Sequence, residues 1–82
     1  MVTIRFFAAL RDVTGVSEME LEIRQPSSVA DLFARLQARH PVLQAYRDSL
    51  LVAVNEEYGS WESPVGAGDE VAFFPPVSGG CR

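Results

Sequence analysis

The residues whose type and spacing could do chemistry lie at the end of the chain, in Phe73-Phe74-Pro75-Pro76-Val77-Ser78-Gly79-Gly80-Cys81-Arg82. Gly79 and Gly80 have no side chains, so they form a bare thread that can enter a narrow active site. Other reactive sets are missing: the sequence has no Ser/His/Asp arrangement, no His/Cys metal cluster and no phosphate-cradling glycine loop. His40, the single histidine, has no base, nucleophile or ligand beside it in sequence. Glu18, Glu20 and Glu22 are spread along one strand and read as a solvated face rather than a metal site. All seven basic residues are arginine, so there is no side-chain amine for conjugation or Schiff-base chemistry.

Eighty-two residues make one domain with one modest core. A chain of this size buries roughly 60–65% of its extended surface. An apolar fraction of 48% with 22% charged residues is that of a soluble globule. No apolar run approaches the roughly 18 residues of a membrane span, and no membrane partner is expected. The start, Met1-Val2-Thr3-Ile4-Arg5, lacks a secretory-signal layout and reads as a first strand. A net charge of −4 disfavours nucleic acid and fits a partner with a basic docking surface. The lone Cys81 can form no internal disulfide, which fits a reducing compartment, and a cytoplasmic location is expected.

The elements that must hold the tail follow from periodicity. Val2, Ile4 and Phe6 alternate with Thr3, Arg5 and Phe7, and the first set is the core set. Phe7 falls on the other face. Residues 8–17 read as a loop with a possible turn of helix. Met19, Leu21 and Ile23 point inward from a second strand over residues 18–23. Ser28 is an N-cap with Asp31 in the capping-box position, and Val29, Leu32, Phe33 and Leu36 follow helical spacing. Asp31 and Arg35 form an i,i+4 pair with the acid first. Pro41 ends the helix near Arg39. Residues 41–49 read as a linker or a short helical turn in which Val42, Leu43 and Tyr46 pack down.

Residues 50–55 form a third strand, apolar enough to be buried on both faces or nearly so. A turn over residues 55–59 exposes Tyr58 at its tip, and Trp61 belongs to a short return strand. Residues 63–69 connect tightly into the last strand, where Val71 and Phe73 face one side and Glu70, Ala72 and Phe74 the other. Pro75 and Pro76 cannot donate ladder hydrogen bonds and end that strand. One amphipathic helix crossing a mixed sheet of about five strands is an α+β, β-grasp (ubiquitin-like) arrangement. Its first and last strands pair mid-sheet. Residues 1–76 are the expected domain and 77–82 the tail. If the end strands are neighbours, Phe7 and Phe74 share one face near the base of the tail.

Three stretches carry a family resemblance. They are Arg5-Phe6-Phe7-Ala8-Ala9-Leu10-Arg11, Val52-Ala53-Val54-Asn55, and the run from Gly68-Asp69-Glu70 through Phe73-Phe74-Pro75-Pro76-Val77-Ser78 to Gly79-Gly80. In order and spacing they resemble the MoaD family, the small subunits of molybdopterin synthase, over nearly the whole chain. The resemblance implies a sulfur carrier, not itself an enzyme and with no bound cofactor. A ubiquitin-activating-type adenylyltransferase uses ATP to adenylate the terminal glycine, and sulfur from a donor then gives a thiocarboxylate. The molybdopterin synthase large subunit takes that sulfur into the molybdenum cofactor precursor. The resemblance assigns the carried chemistry to Gly80 with Gly79. It assigns partner contact to Phe7, Arg11, Tyr58, Phe74, Pro75, Pro76, Val77 and Ser78.

Cys81 and Arg82 depart from the family pattern, in which the active form ends at the second glycine. With them in place the Gly80 carbonyl is an amide and cannot be adenylated. Their removal by a protease, with a JAMM-type metalloprotease as a plausible agent, is the leading expectation. A role for the Cys81 thiol through a persulfide or an acyl shift is the second. Other readings are a carrier for thiamine, cysteine or siderophore synthesis, a protein modifier, or a binding module whose tail has no chemistry.

Overall fold

A computed structural model of the chain describes residues 1–75. Pro76, Val77, Ser78, Gly79, Gly80, Cys81 and Arg82, and with them the expected boundary at residue 76, lie outside the described residues.

The alternation at the start of the chain forms β1 (Val2–Phe6), with Val2, Ile4 and Phe6 buried. A turn leads to a short helix, α1 (Ala9–Thr14), whose single buried residue is Leu10. Strand β2 (Glu18–Leu21) returns antiparallel to β1, pairing Val2 with Leu21 and Arg5 with Glu18. Its glutamates are exposed, which discourages pairing at this sheet edge. Ser27–Ser28 form a two-residue strand, β3, and the main helix α2 (Val29–Arg39) follows directly.

The N-terminus of α2 is closed on all sides. The Asp31 N–H donates to Ser28 Oγ at 3.2 Å, and the Ser28 N–H donates back to Asp31 Oδ2 at 3.3 Å. The Val29 and Ala30 N–H groups donate to the carbonyls of Ser63 and Trp61 at 3.0 and 2.9 Å. Four amides that a helix start leaves orphaned are thus satisfied, two of them from a distant loop. Strand β6 (Pro64–Val65) pairs with β3 beside this cap.

After α2 come a 3₁₀ helix (Pro41–Ser49), β4 (Leu51–Val54), the short β5 (Glu57–Tyr58) and finally β7 (Glu70–Phe74). The main sheet has the order β2-β1-β7-β4-β5. Strand β7 lies parallel to β1 and antiparallel to β4, so the last strand of the chain is the middle strand of the sheet. Val71 and Phe73 meet Ile4, Phe6, Leu32, Phe33 and Leu36 in one core. The ring of Phe73 lies 5.4 Å from Phe33 and 6.3 Å from Phe6, and Phe33 lies 5.0 Å from Trp61.

Several expectations are corrected. The helical turn expected in residues 41–49 extends over the whole segment as a 3₁₀ helix; Leu43 is buried and Tyr46 packs on the core as expected, but Val42 is 44% exposed rather than packed. The return strand is Glu57–Tyr58, so Tyr58 sits on a strand and not at a turn tip, while Trp61 lies in the following loop. The second strand stops at Leu21, because the chain turns away to reach β3. Arg35 does not pair with Asp31: its guanidinium donates to the Glu22 carbonyl at 2.8 Å, and Asp31 is taken up by the cap. Strand β4 buries only Val52; Leu51, Ala53 and Val54 are half-buried. The sheet is therefore covered on one side, and no helix lies over its other face among the described residues.

Candidate functional site

That uncovered face is built row by row by the strand register. One row crosses all five strands: Glu18, Arg5, Ala72, Ala53 and Tyr58. On the side toward the chain's exit, Phe74 pairs with Leu51, and the Phe7 N–H donates to the Phe73 carbonyl at 3.2 Å. On the far side stand Glu20, Thr3 and Glu70.

Phe7 (40% exposed), Tyr58 (78% exposed) and the half-buried Phe74 meet here. Phe74 packs edge-on against Phe7 at 6.1 Å between ring centres and against Tyr58 at 6.0 Å. Edge and tilted pairs of this kind are worth about 0.5–1.5 kcal/mol beyond the area they bury. The Arg5 guanidinium lies 5.3 Å from the Phe7 ring centre and donates to Glu70 at 3.2 Å. The ion pair is exposed and contributes little stability, but it holds Arg5 against the ring.

Two turns fix these aromatics in place. Between β1 and α1, Ala8 adopts φ 53 and ψ −128, a backbone region that favours glycine, while the Leu10 N–H closes the turn on the Phe7 carbonyl at 3.1 Å. Arg11 is exposed on α1, which begins two positions after Phe7. Between β4 and β5, Asn55 and Glu56 both have positive φ, 53 and 71, as a two-residue hairpin loop requires. The Asn55 side chain accepts from the Glu70 N–H at 3.0 Å and donates to Asp69 Oδ1 at 3.2 Å. Asp69 Oδ2 accepts from the Gly66 N–H at 2.8 Å. The Gly66 bond first and the Asn55 amide second hold the Asp69 carboxyl below its usual range, because both favour the charged form. This clasp ties the hairpin bearing Tyr58 to the start of β7.

Of the residues singled out from sequence, the fold thus gathers Phe7, Tyr58 and Phe74 into one cluster. Pro75, half-buried, follows Phe74 directly. The reading missed Arg5, Leu51, Ala53, Ala72 and Asn55. Alternation put Arg5 on the Phe7 face and Ala72 on the Phe74 face, and that was the available signal. Among the described residues no group of His, Cys, Asp and Glu is placed to hold a metal ion. No helix among them is long and apolar enough to cross a membrane.

Residues 4–80 match the ThiS family. The chain belongs to that family. Among its relatives, the "Molybdopterin synthase sulfur carrier subunit" of Escherichia coli is 38% identical over 82 residues, covering 98% of this chain and 100% of the relative. The "Putative molybdopterin converting factor, subunit 1" from Pyrococcus furiosus superposes with a TM-score of 0.82 at 34% identity, covering 93% of this chain and 97% of that one. The small archaeal modifier protein 1 of Haloferax volcanii gives 0.82 at 29% identity over the same shares. The mixed five-stranded sheet crossed by one main helix is the β-grasp, ubiquitin-like fold of these ThiS-family relatives.

Proposed function

We propose that this ThiS-family chain is the sulfur carrier of a molybdopterin synthase, working from the Gly80 carboxyl after Cys81 and Arg82 have been removed. The observation that carries this is the position of Phe74. It ends β7, packs with Phe7 and Tyr58 on an uncovered face, and is followed at once by Pro75 and the run to Gly80. One strand thus joins a docking surface to a reactive end.

The chemistry follows from the weakness of a carboxylate as an electrophile. In an adenylyltransferase of the ubiquitin-activating type, a Gly80 carboxylate oxygen attacks the α-phosphorus of ATP and pyrophosphate leaves. Hydrosulfide released by a donor then attacks the acyl carbon, AMP leaves with the C–O bond pair, and loss of the S–H proton leaves a thiocarboxylate. The large synthase subunit supplies the catalytic groups that move this sulfur to the pterin. The carrier's own contribution is tethering: a short flexible link can hold a reactive atom near a site at effective concentrations of order mM. Protein trimmed to Gly80 should support ATP–pyrophosphate exchange with the activating enzyme and gain mass by exchanging oxygen for sulfur; the untrimmed chain should do neither. Failure of the trimmed form would refute the reading. Persistence of Cys81-Arg82 in sulfur-charged protein from its own host would refute the trimming step.

A second reading is favoured by the superposition on small archaeal modifier protein 1. An amine would then attack the same activated Gly80 carbonyl, leaving the chain as a tag on another protein. Gly-Gly remnants on target lysines, found in host cells and lost with a Gly80 deletion, would support it.

A further inference from the structure

The centre of the uncovered face is occupied by two alanines that the fold itself does not favour. Ala72 lies on the middle strand, and Ala53 is its cross-strand partner on β4. Alanine is depleted in strands, and an Ala–Ala pair is the reference against which larger cross-strand pairs gain stability. Both alanines are half-buried and lie outside the core cluster, so core packing is not what requires a small residue there, and strand preference alone favours a β-branched one. Local rules broken without a structural return are expected where a surface serves something else.

What surrounds the pair shows what they leave room for. Arg5 borders Ala72 on one side and Tyr58 borders Ala53 on the other, in the same cross-sheet row. The Phe7–Phe74 pair closes the end toward the tail. Glu70, held through Arg5, stands at the opposite end. The contacts Arg5–Glu70, Arg5–Phe7, Phe7–Phe74 and Phe74–Tyr58 thus form a nearly continuous rim around a floor of two methyl groups.

We infer that Ala53 and Ala72 form a seat for one aliphatic side chain of the large synthase subunit, and that they set the specificity of docking. This rests on the docking reading above. The floor and the Phe7 and Phe74 walls are apolar, so the inserted group is apolar. Glu18, Glu20 and Glu70 outnumber Arg5 on this face, so the residues beside that group on the partner are cationic. An apolar patch of this kind, bordered by aromatics, is where binding energy concentrates.

The test is to fill the seat. Calorimetric titration of the trimmed carrier against its large subunit should show the dissociation constant of Ala72→Leu and Ala53→Leu raised about tenfold or more. Melting temperature, followed by Trp61 fluorescence, should stay level or rise, because the new side chains improve strand pairing. Opposite movement of stability and affinity is what a purely structural alanine would not produce. Should Ala72→Leu melt early, Ala53→Val gives the same comparison with a residue that strands prefer. Normal affinity in the filled variants, with Phe74→Arg binding abolished, would overturn the seat and leave the docking face intact. Loss of affinity only in step with loss of stability would overturn it too. A large subunit that ignores both the seat and Phe74→Arg would overturn the docking reading itself. A concentration-dependent dimer broken by Ala72→Leu would give the seat to a second copy and overturn the assignment to the large subunit.

Discussion

Phe73 and Phe74 are the same residue type, adjacent in one strand, and the sheet sends them to opposite worlds. Phe73 is fully buried against Phe6, Phe33 and Trp61. Phe74 is half-buried and meets only Phe7 and Tyr58 among the aromatics. The difference teaches that apolar character alone does not mark a core. One phenylalanine is covered by the chain's own core, and the other lies on the face that no helix covers among the described residues.

The contrast can be broken most forcefully at Phe73. Phe73→Ala should lose about 3–5 kcal/mol in urea unfolding followed by Trp61 fluorescence. That is a large part of the roughly 4–12 kcal/mol expected for a chain of 82 residues. A loss under about 1 kcal/mol would mean that the covered face is not the core. Phe74→Arg should leave unfolding nearly unchanged while weakening binding to the large subunit by about 2 kcal/mol or more. If it unfolds the domain, the two faces do not differ as described. Phe7→Ala should be milder, about 1 kcal/mol in binding, because Phe74 and Tyr58 remain to fill the contact.

The smallest effect concerns the clasp that carries Tyr58. The Asp69 carboxyl is depressed in the folded state, so its contribution to stability is present above the unfolded value and is lost as pH falls through the folded one. Asp69→Asn should therefore melt lower than the parent near neutral pH. The gap should close as pH falls below about 4. A gap that stays constant with pH would show that charge at Asp69 plays no part.

Much of this was legible before any coordinates. The alternation of Val2, Ile4 and Phe6, the Ser28–Asp31 cap and the helical spacing of Leu32, Phe33 and Leu36 all speak through local periodicity, and all hold. The pairing of the end strands also followed, from economy of layers. What failed did so for physical reasons. Strands of two residues, Ser27–Ser28 and Pro64–Val65, are too short to show a period. Residues 50–55 looked buried on both sides because Leu51 and Ala53 are apolar, yet they line the uncovered face. A sequence pattern reports that a face shuns water; it does not say whose atoms will cover it. Ala8 gave no warning of its positive φ, since that strain comes from where β1 and α1 must lie.

The last of the described strands sits in the middle of the sheet, and this links synthesis to integrity. Until residues 70–74 arrive, β1 with β2 and β4 with β5 are two separate hairpins with no ladder between them. Closing the gap joins Thr3 to Glu70 across almost the whole chain, a distant pairing that makes folding wait for completion. A chain broken off before Glu70 therefore lacks a body as well as an ending, and is exposed to proteolysis. A chain with the complete sheet has been made at least through Phe74, a few residues short of Gly79 and Gly80.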